Sequence, residues 1–176
     1  EPPPSLTPGA RGPRSVRLLK IRVTGADLTS PDLQGAGQRV DGNLVEIVDA
    51  QTIVGGPAED DLAPFLSPEP LIESDDPDIR AAADEAVRGV SGPRARAEAL
   101  TRYVNATLQK KPTVSIPSAR EVLRTRIGDC NEHTALFVAM SRSLGLPARI
   151  AVGLAYVRGA FYYHAWREGY KEVRVC

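Results

Sequence analysis

The chain has 176 residues, 42% of them hydrophobic and 25% charged, enough for one domain or a small domain with an annex and ordinary for a globular fold. Its 22 Lys and Arg balance 22 Asp and Glu, so no basic field draws nucleic acid, and none is expected as a partner. No apolar run approaches the roughly 20 residues that cross a bilayer, so no direct membrane insertion is expected of this chain.

Residues 1–14, "EPPPSLTPGARGPR", carry five prolines and two glycines and read as a flexible leader. The first residue is Glu1 rather than Met, and no signal peptide is visible. An upstream segment removed by processing would leave an extracytoplasmic or membrane-anchored location open.

Residues 15–70 read as a small β region and its linker. In "SVRLLKIRV" Val16, Leu18, Ile21 and Val23 nearly alternate, with one slip at Leu19. "NLVEIVDAQTIV" is rich in β-branched residues, and "GAGQRVDGN" before it carries turn chemistry. The acids of Gly55–Asp78 supply a solvated surface and helix caps. Asp75, Asp76 and Asp78 lack the glycine-punctuated spacing of a calcium loop. No metal or other cofactor is expected.

Helices follow. Asp76 is a candidate N-cap with Pro77 at the first helical position, and Gly89 marks the end. A second helix opens near Ser91 and stripes Ala95, Ala97, Leu100, Tyr103, Val104 and Leu108. Ser118 and Glu121 stand in capping-box spacing, as do Asp129 and Glu132. The latter pair predicts an amphipathic helix over 130–144 with Cys130 in its first turn. Ala135, Leu136, Ala139, Met140 and Leu144 face the core, Gly145 ends the helix, and Pro147 forbids its continuation. Ala148–Val157 and "FYYHAWREG" then form a hairpin, with Tyr162, His164, Trp166 and Glu168 on one face.

The chain has two cysteines, Cys130 and Cys176, too few for a disulfide scaffold, and a bridge between them is not expected. No pairing of Cys and His at short ligand spacing supports zinc. A thiol becomes a nucleophile as a thiolate. A helix N-terminus favours that anion, and its unpaired N–H groups can receive the oxyanion formed by attack on an amide carbonyl. The second requirement is an imidazole within reach. His133 lies one turn along the same helix and reads as a structural residue making a buried hydrogen bond. His164, held on a strand beside Tyr163 and Trp166, is the better base. On the residues alone, a buried thiol and a satisfied histidine account for the same pattern. Trp166 likewise reads as a core aromatic or as a cleft lining.

"GDCNEHTALFVAMSRSLGLPARIAVGL", followed by "YYHAW", resembles the transglutaminase-like superfamily of bacterial proteins. The shared features are a G-x-C helix start, a G-[IL]-P-A-R turn after that helix, and an H-A-W strand. The similarity spans roughly residues 70–168. It implies an α+β fold with a papain-like transglutaminase core, the Cys-bearing helix packed on an antiparallel sheet, here over 71–176 and preceded by the small β region. It implies Cys130 as nucleophile and His164 as base and later acid. It implies acyl transfer on a peptide, protein or carboxamide substrate through a thioester, with peptidase or amidase action favoured over cross-linking.

The family's third member, an Asp that orients the imidazole, is expected some fifteen residues past the histidine. No aspartate follows His164, which reads as truncation of the domain at its C-terminus. Glu168 shares the histidine's face but lies roughly 13 Å along the strand. Glu172 is the other acid available. The competing reading is a catalytically degenerate member that binds peptides or proteins without turnover.

Overall fold

The computed structural model describes residues 17–29, 33–35, 37–49, 62–113, 118–157, 160–169 and 173–175. The Pro-rich leader, the stretch from 50 to 61, Glu172 and Cys176 lie outside these. The chain divides into two units between Gly56 and Pro57.

In the first unit β1 (Leu18–Arg22), β2 (Gln38–Asp41) and β3 (Leu44–Val48) form an antiparallel sheet in the order β1-β3-β2. Lys20 pairs with Glu46 in register, and their side chains form an ion pair at 2.5 Å. The turn chemistry of "GAGQRVDGN" lies at Gly37, beside the Gly35–Gln38 bridge, and at Gly42 and Asn43, with Gly42 at φ 57, while Gln38–Asp41 between them are paired with β3 as β2. The Gln34 carboxamide bonds both the N–H and the carbonyl of Val40, which holds this short polar strand in place.

The second unit is built around one helix, α4 (Cys130–Ser143). Packed against it are α1 (Pro77–Ala86), α2 (Pro93–Thr107) and α3 (Ala119–Thr125), and also β6 (Ala148–Val157) and β7 (Ala160–Gly169). β6 and β7 pair antiparallel from Ala148↔Gly169 to Val157↔Ala160, and β8 (Val173–Val175) adds to β7. Helices and antiparallel sheet thus enclose α4, as expected of an α+β fold.

Local signals explain the helix starts. The Asp76 carboxylate accepts from the N–H groups of Asp78 and Ile79, ahead of Pro77. α2 opens instead on Gly92 and Pro93 with no side-chain cap. At α3 the expected box is only half made. Ser118 Oγ accepts from the Glu121 N–H, but the Glu121 carboxylate bonds Arg124. Glu73, 45 residues upstream, takes the Ser118 hydroxyl and the Arg120 N–H in its place. At the end of α4, Gly145 adopts φ 71 and its N–H returns to the Arg142 carbonyl.

α4 is not amphipathic. Every residue from Glu132 to Ser143 is buried. Ile79, Leu100, Val104, Leu136, Phe137, Val138 and Met140 are the large side chains closed off around it. Backbone carbonyls take the hydroxyls of Thr134 and Ser143 and most of the Arg142 guanidinium. Arg142 donates to the carbonyls of Ala148 and Ser67 and to Glu69 Oε1, at 2.7–2.8 Å. Burial on all sides fixes α4, and hence Cys130, against the rest of the unit.

Candidate active site

Two short segments present the start of α4. α3 ends at Arg126 in the left-handed region (φ 56), and β5 (Ile127–Gly128) pairs in parallel with β4 (Gln109–Lys110). Gly128 is required by close approach, because a Cβ there would lie 2.6 Å from Glu132 Cγ. Asp129 is the N-cap, and Cys130 is the first helical residue.

The capping box is complete. Asp129 Oδ1 accepts from the Asn131 N–H at 3.1 Å, and its carboxylate also takes the Glu132 N–H. Glu132 Oε2 accepts from the Asp129 N–H at 2.9 Å, and Oε1 accepts from the Thr113 hydroxyl at 2.6 Å. Burial pushes the Glu132 carboxyl up. The Thr113 hydroxyl and the N–H groups of Asp129 and of Glu132 itself outweigh that and hold it down at about 2. The His133 N–H follows the helical pattern to the Asp129 carbonyl at 3.0 Å. Among the described residues, Cys130 N–H is the first-turn amide left without an acceptor. The half-buried free thiol of Cys130 therefore sits beside an unclaimed donor and the positive end of a buried helix.

His133 is buried and turns away from solvent. Its Nδ1 lies 2.6 Å from the Asp129 carbonyl, which makes Nδ1 the protonated nitrogen, and the buried Nε2 has no hydrogen-bond partner among the described residues. The buried hydrogen bond expected of His133 is this contact.

His164 lies on β7, half-buried and opposite Gly153 of β6. Its ring meets the Trp166 ring edge-on, 5.1 Å between centroids at 82°. Trp166 covers Gly153, where a Cβ would come within 2.9 Å of Trp166 Cζ3. Gly153 thus leaves room for the indole that packs on the histidine.

Two contacts tie the start of α4 to β7 on either side of His164. Tyr163 OH donates to Asn131 Oδ1 at 3.1 Å, and Thr134 Oγ1 reaches the Ala165 carbonyl at 3.5 Å. Asn131 follows Cys130, and Thr134 stacks on it one turn along, bonding the Cys130 carbonyl at 2.7 Å. The structure thus brings the cysteine's helix and the histidine's strand together. Tyr163, Ala165 and Arg167 turn toward α4, with Arg167 lying 4.7 Å over the Phe137 ring. His164, Trp166 and Glu168 share the other face, as the two-residue period requires. Trp166 is therefore a partly buried aromatic of the sheet face, packed on Gly153 and His164.

Glu168 does not reach His164. Its carboxylate pairs with Arg149 directly across the strands, at 2.8 Å to Nη2. Among the described residues no carboxylate hydrogen-bonds the His164 ring. Among those residues, too, no group of His, Cys, Asp and Glu is arranged to hold a metal. The G-x-C pattern already contained Gly128, though not the contact with Glu132 that requires it. Sequence reasoning missed Thr113, which carries no signal because it lies 19 residues from the carboxylate it bonds.

Comparison with known proteins places this arrangement. Residues 80–174 match the sequence profile of the transglutaminase-like superfamily. No curated protein sequence matches the chain significantly. Among solved structures it is similar to a proposed cysteine protease from Cytophaga hutchinsonii, at 23% identity and TM-score 0.59, over 72% of this chain and 47% of that one. It is also similar to the periplasmic domain of TgpA from Pseudomonas aeruginosa bound to ethylmercury, at 21% identity and TM-score 0.52, over 73% and 50%. The chain spans about half the length of each. At these identities the likeness establishes a shared fold. With more than half of its residues inside the matching profile, the chain belongs to the transglutaminase-like superfamily.

Proposed function

We propose that the chain carries a cysteine-dependent acyl transfer on peptide or carboxamide substrates, with Cys130 as nucleophile and His164 as base and acid. The observation that carries this reading is the position of Cys130. It is the first residue of a helix buried along its length, and its own N–H is unclaimed while the cap takes its neighbours. The Cys130 thiol passes its proton to the His164 imidazole, and Sγ bonds to the carbonyl carbon. The carbonyl electron pair moves to oxygen, where the Cys130 N–H receives it. The carbonyl re-forms, the C–N bond breaks, and the amine leaves with the proton from His164, giving a thioester. Water, deprotonated by His164, attacks the thioester and releases the acid and the thiol. An amine in place of water would give transamidation.

A second reading has specific support. The His164 ring is on the sheet face away from α4, and no carboxylate among the described residues orients it. Both features suit a domain that binds peptides without turnover.

Fluorescein-labelled casein, with hydroxylamine added to trap an acyl-enzyme as hydroxamate, separates the two. Turnover is expected that Cys130→Ala and His164→Ala abolish and that His133→Ala retains in part. Casein binding without turnover in the unaltered chain would establish the second reading. Turnover that survives Cys130→Ala would contradict the first.

A further inference from the structure

We propose that the Asn131–Tyr163 hydrogen bond is a positioning clasp that fixes the strand of His164 relative to the start of the cysteine's helix, a role that rests on the catalytic reading above. Asn131 is the residue after the nucleophile, and Tyr163 is the residue before the base. Their side chains meet at 3.1 Å between the cysteine's helix and the histidine's strand.

Asn131 is fixed at its own end. Its N–H is held by Asp129 Oδ1 in the capping box, so its carboxamide is offered from a rigid turn. The strand end is different. Tyr163 is 58% exposed, and its cross-strand neighbour Leu154 is 66% exposed. Apolar packing therefore does little to hold the hairpin to α4 at this level. The other contact at this height, Thr134 Oγ1 to the Ala165 carbonyl, is long at 3.5 Å and is shared with the Cys130 carbonyl at 2.7 Å. Losing the Tyr163 hydroxyl frees β7 to shift at His164 while leaving the core around Phe137 and Arg167 in place.

The geometry assigns the pair no contact with the reacting atoms. Its signature is a change at the thiol without a change in stability. Tyr163→Phe keeps the ring and removes the donor. It should slow alkylation of Cys130 by iodoacetamide at about pH 6.5 by roughly three- to tenfold, the range one neutral hydrogen bond supports. The pH–rate profile should move toward that of His164→Ala. Asn131→Ala should do the same, and the double variant should lose no more than either single one. The urea midpoint of Tyr163→Phe should match the unaltered chain. Unchanged alkylation in Tyr163→Phe, or losses that simply add, would overturn the clasp. Both can occur while Cys130→Ala still abolishes casein turnover, so the clasp can fail with the catalytic assignment intact. Alkylation of Cys130 that is insensitive to His164→Ala would instead remove the reading on which the clasp rests.

Discussion

Glu132 is a buried anion held in place by hydrogen bonds, and its removal has a pH signature. Its carboxyl titrates at about 2 instead of the ordinary 4.5. The depression is net, because burial opposes it and the Thr113 hydroxyl and local N–H groups more than offset burial. A fall of that size corresponds to on the order of 3 kcal/mol of stability. Thr113 beside it is only half-buried, and allowing for solvent screening there brings the expected contribution to about 2 kcal/mol. A depressed carboxyl stabilises fully above its unfolded value. Its contribution is therefore complete at pH 7 and is lost as pH falls from about 4.5 toward 2. Glu132→Gln keeps one acceptor oxygen, loses the charge, and leaves either the Asp129 N–H or the Thr113 hydroxyl without its partner. Urea unfolding followed by the emission of Trp166, the chain's one tryptophan, reads the unit that contains Glu132. At pH 7 the variant should be less stable by about 2 kcal/mol, and the two curves should converge between about pH 4.5 and pH 2.5. A gap of the same size at pH 7 and pH 3 would refute the argument, since the loss would then be one of shape and not of charge.

Gly153→Ala should displace the Trp166 ring from beside His164. A shifted Trp166 emission and slower Cys130 alkylation are expected, with an unfolding cost of about 1 kcal/mol because the half-buried ring can move; an unaltered spectrum would contradict the contact. Arg142→Met should cost about 3 kcal/mol in urea unfolding, because the buried Ala148 carbonyl loses its donor and the bonds to the Ser67 carbonyl and Glu69 go with it. A loss below about 1 kcal/mol would show that these carbonyls find other donors.

The parts of the site that could be read from the sequence are the local ones. Asp76 before Pro77, Asp129 with Glu132, and Gly145 before Pro147 each act within one turn, and each does so in the structure. The H-A-W alternation correctly put His164 and Trp166 on one face. What escaped depends on distant partners. Glu73 outcompetes Glu121 for the α3 cap because the fold delivers it across 45 residues. β2 is too polar to show a strand pattern and is held by pairing with β3 and by the Gln34 carboxamide. α4 looked amphipathic because Arg142, Ser141 and His133 are polar. Burial of Arg142 is possible through carbonyls supplied from Ser67 and Ala148, which no helical period can show. The pairing of β4 with β5, two residues on each side, falls below any periodic signal.

The central proposal is that Cys130, at the start of α4, is the nucleophile and that the imidazole of His164 is its base. Labelling by iodoacetamide at about pH 6.5, with the modified peptides counted by mass spectrometry, tests it most directly. Cys130 should react much faster than Cys176, and His164→Ala should bring it down to the slower rate. Equal, slow labelling of both thiols in the unaltered chain would contradict the account.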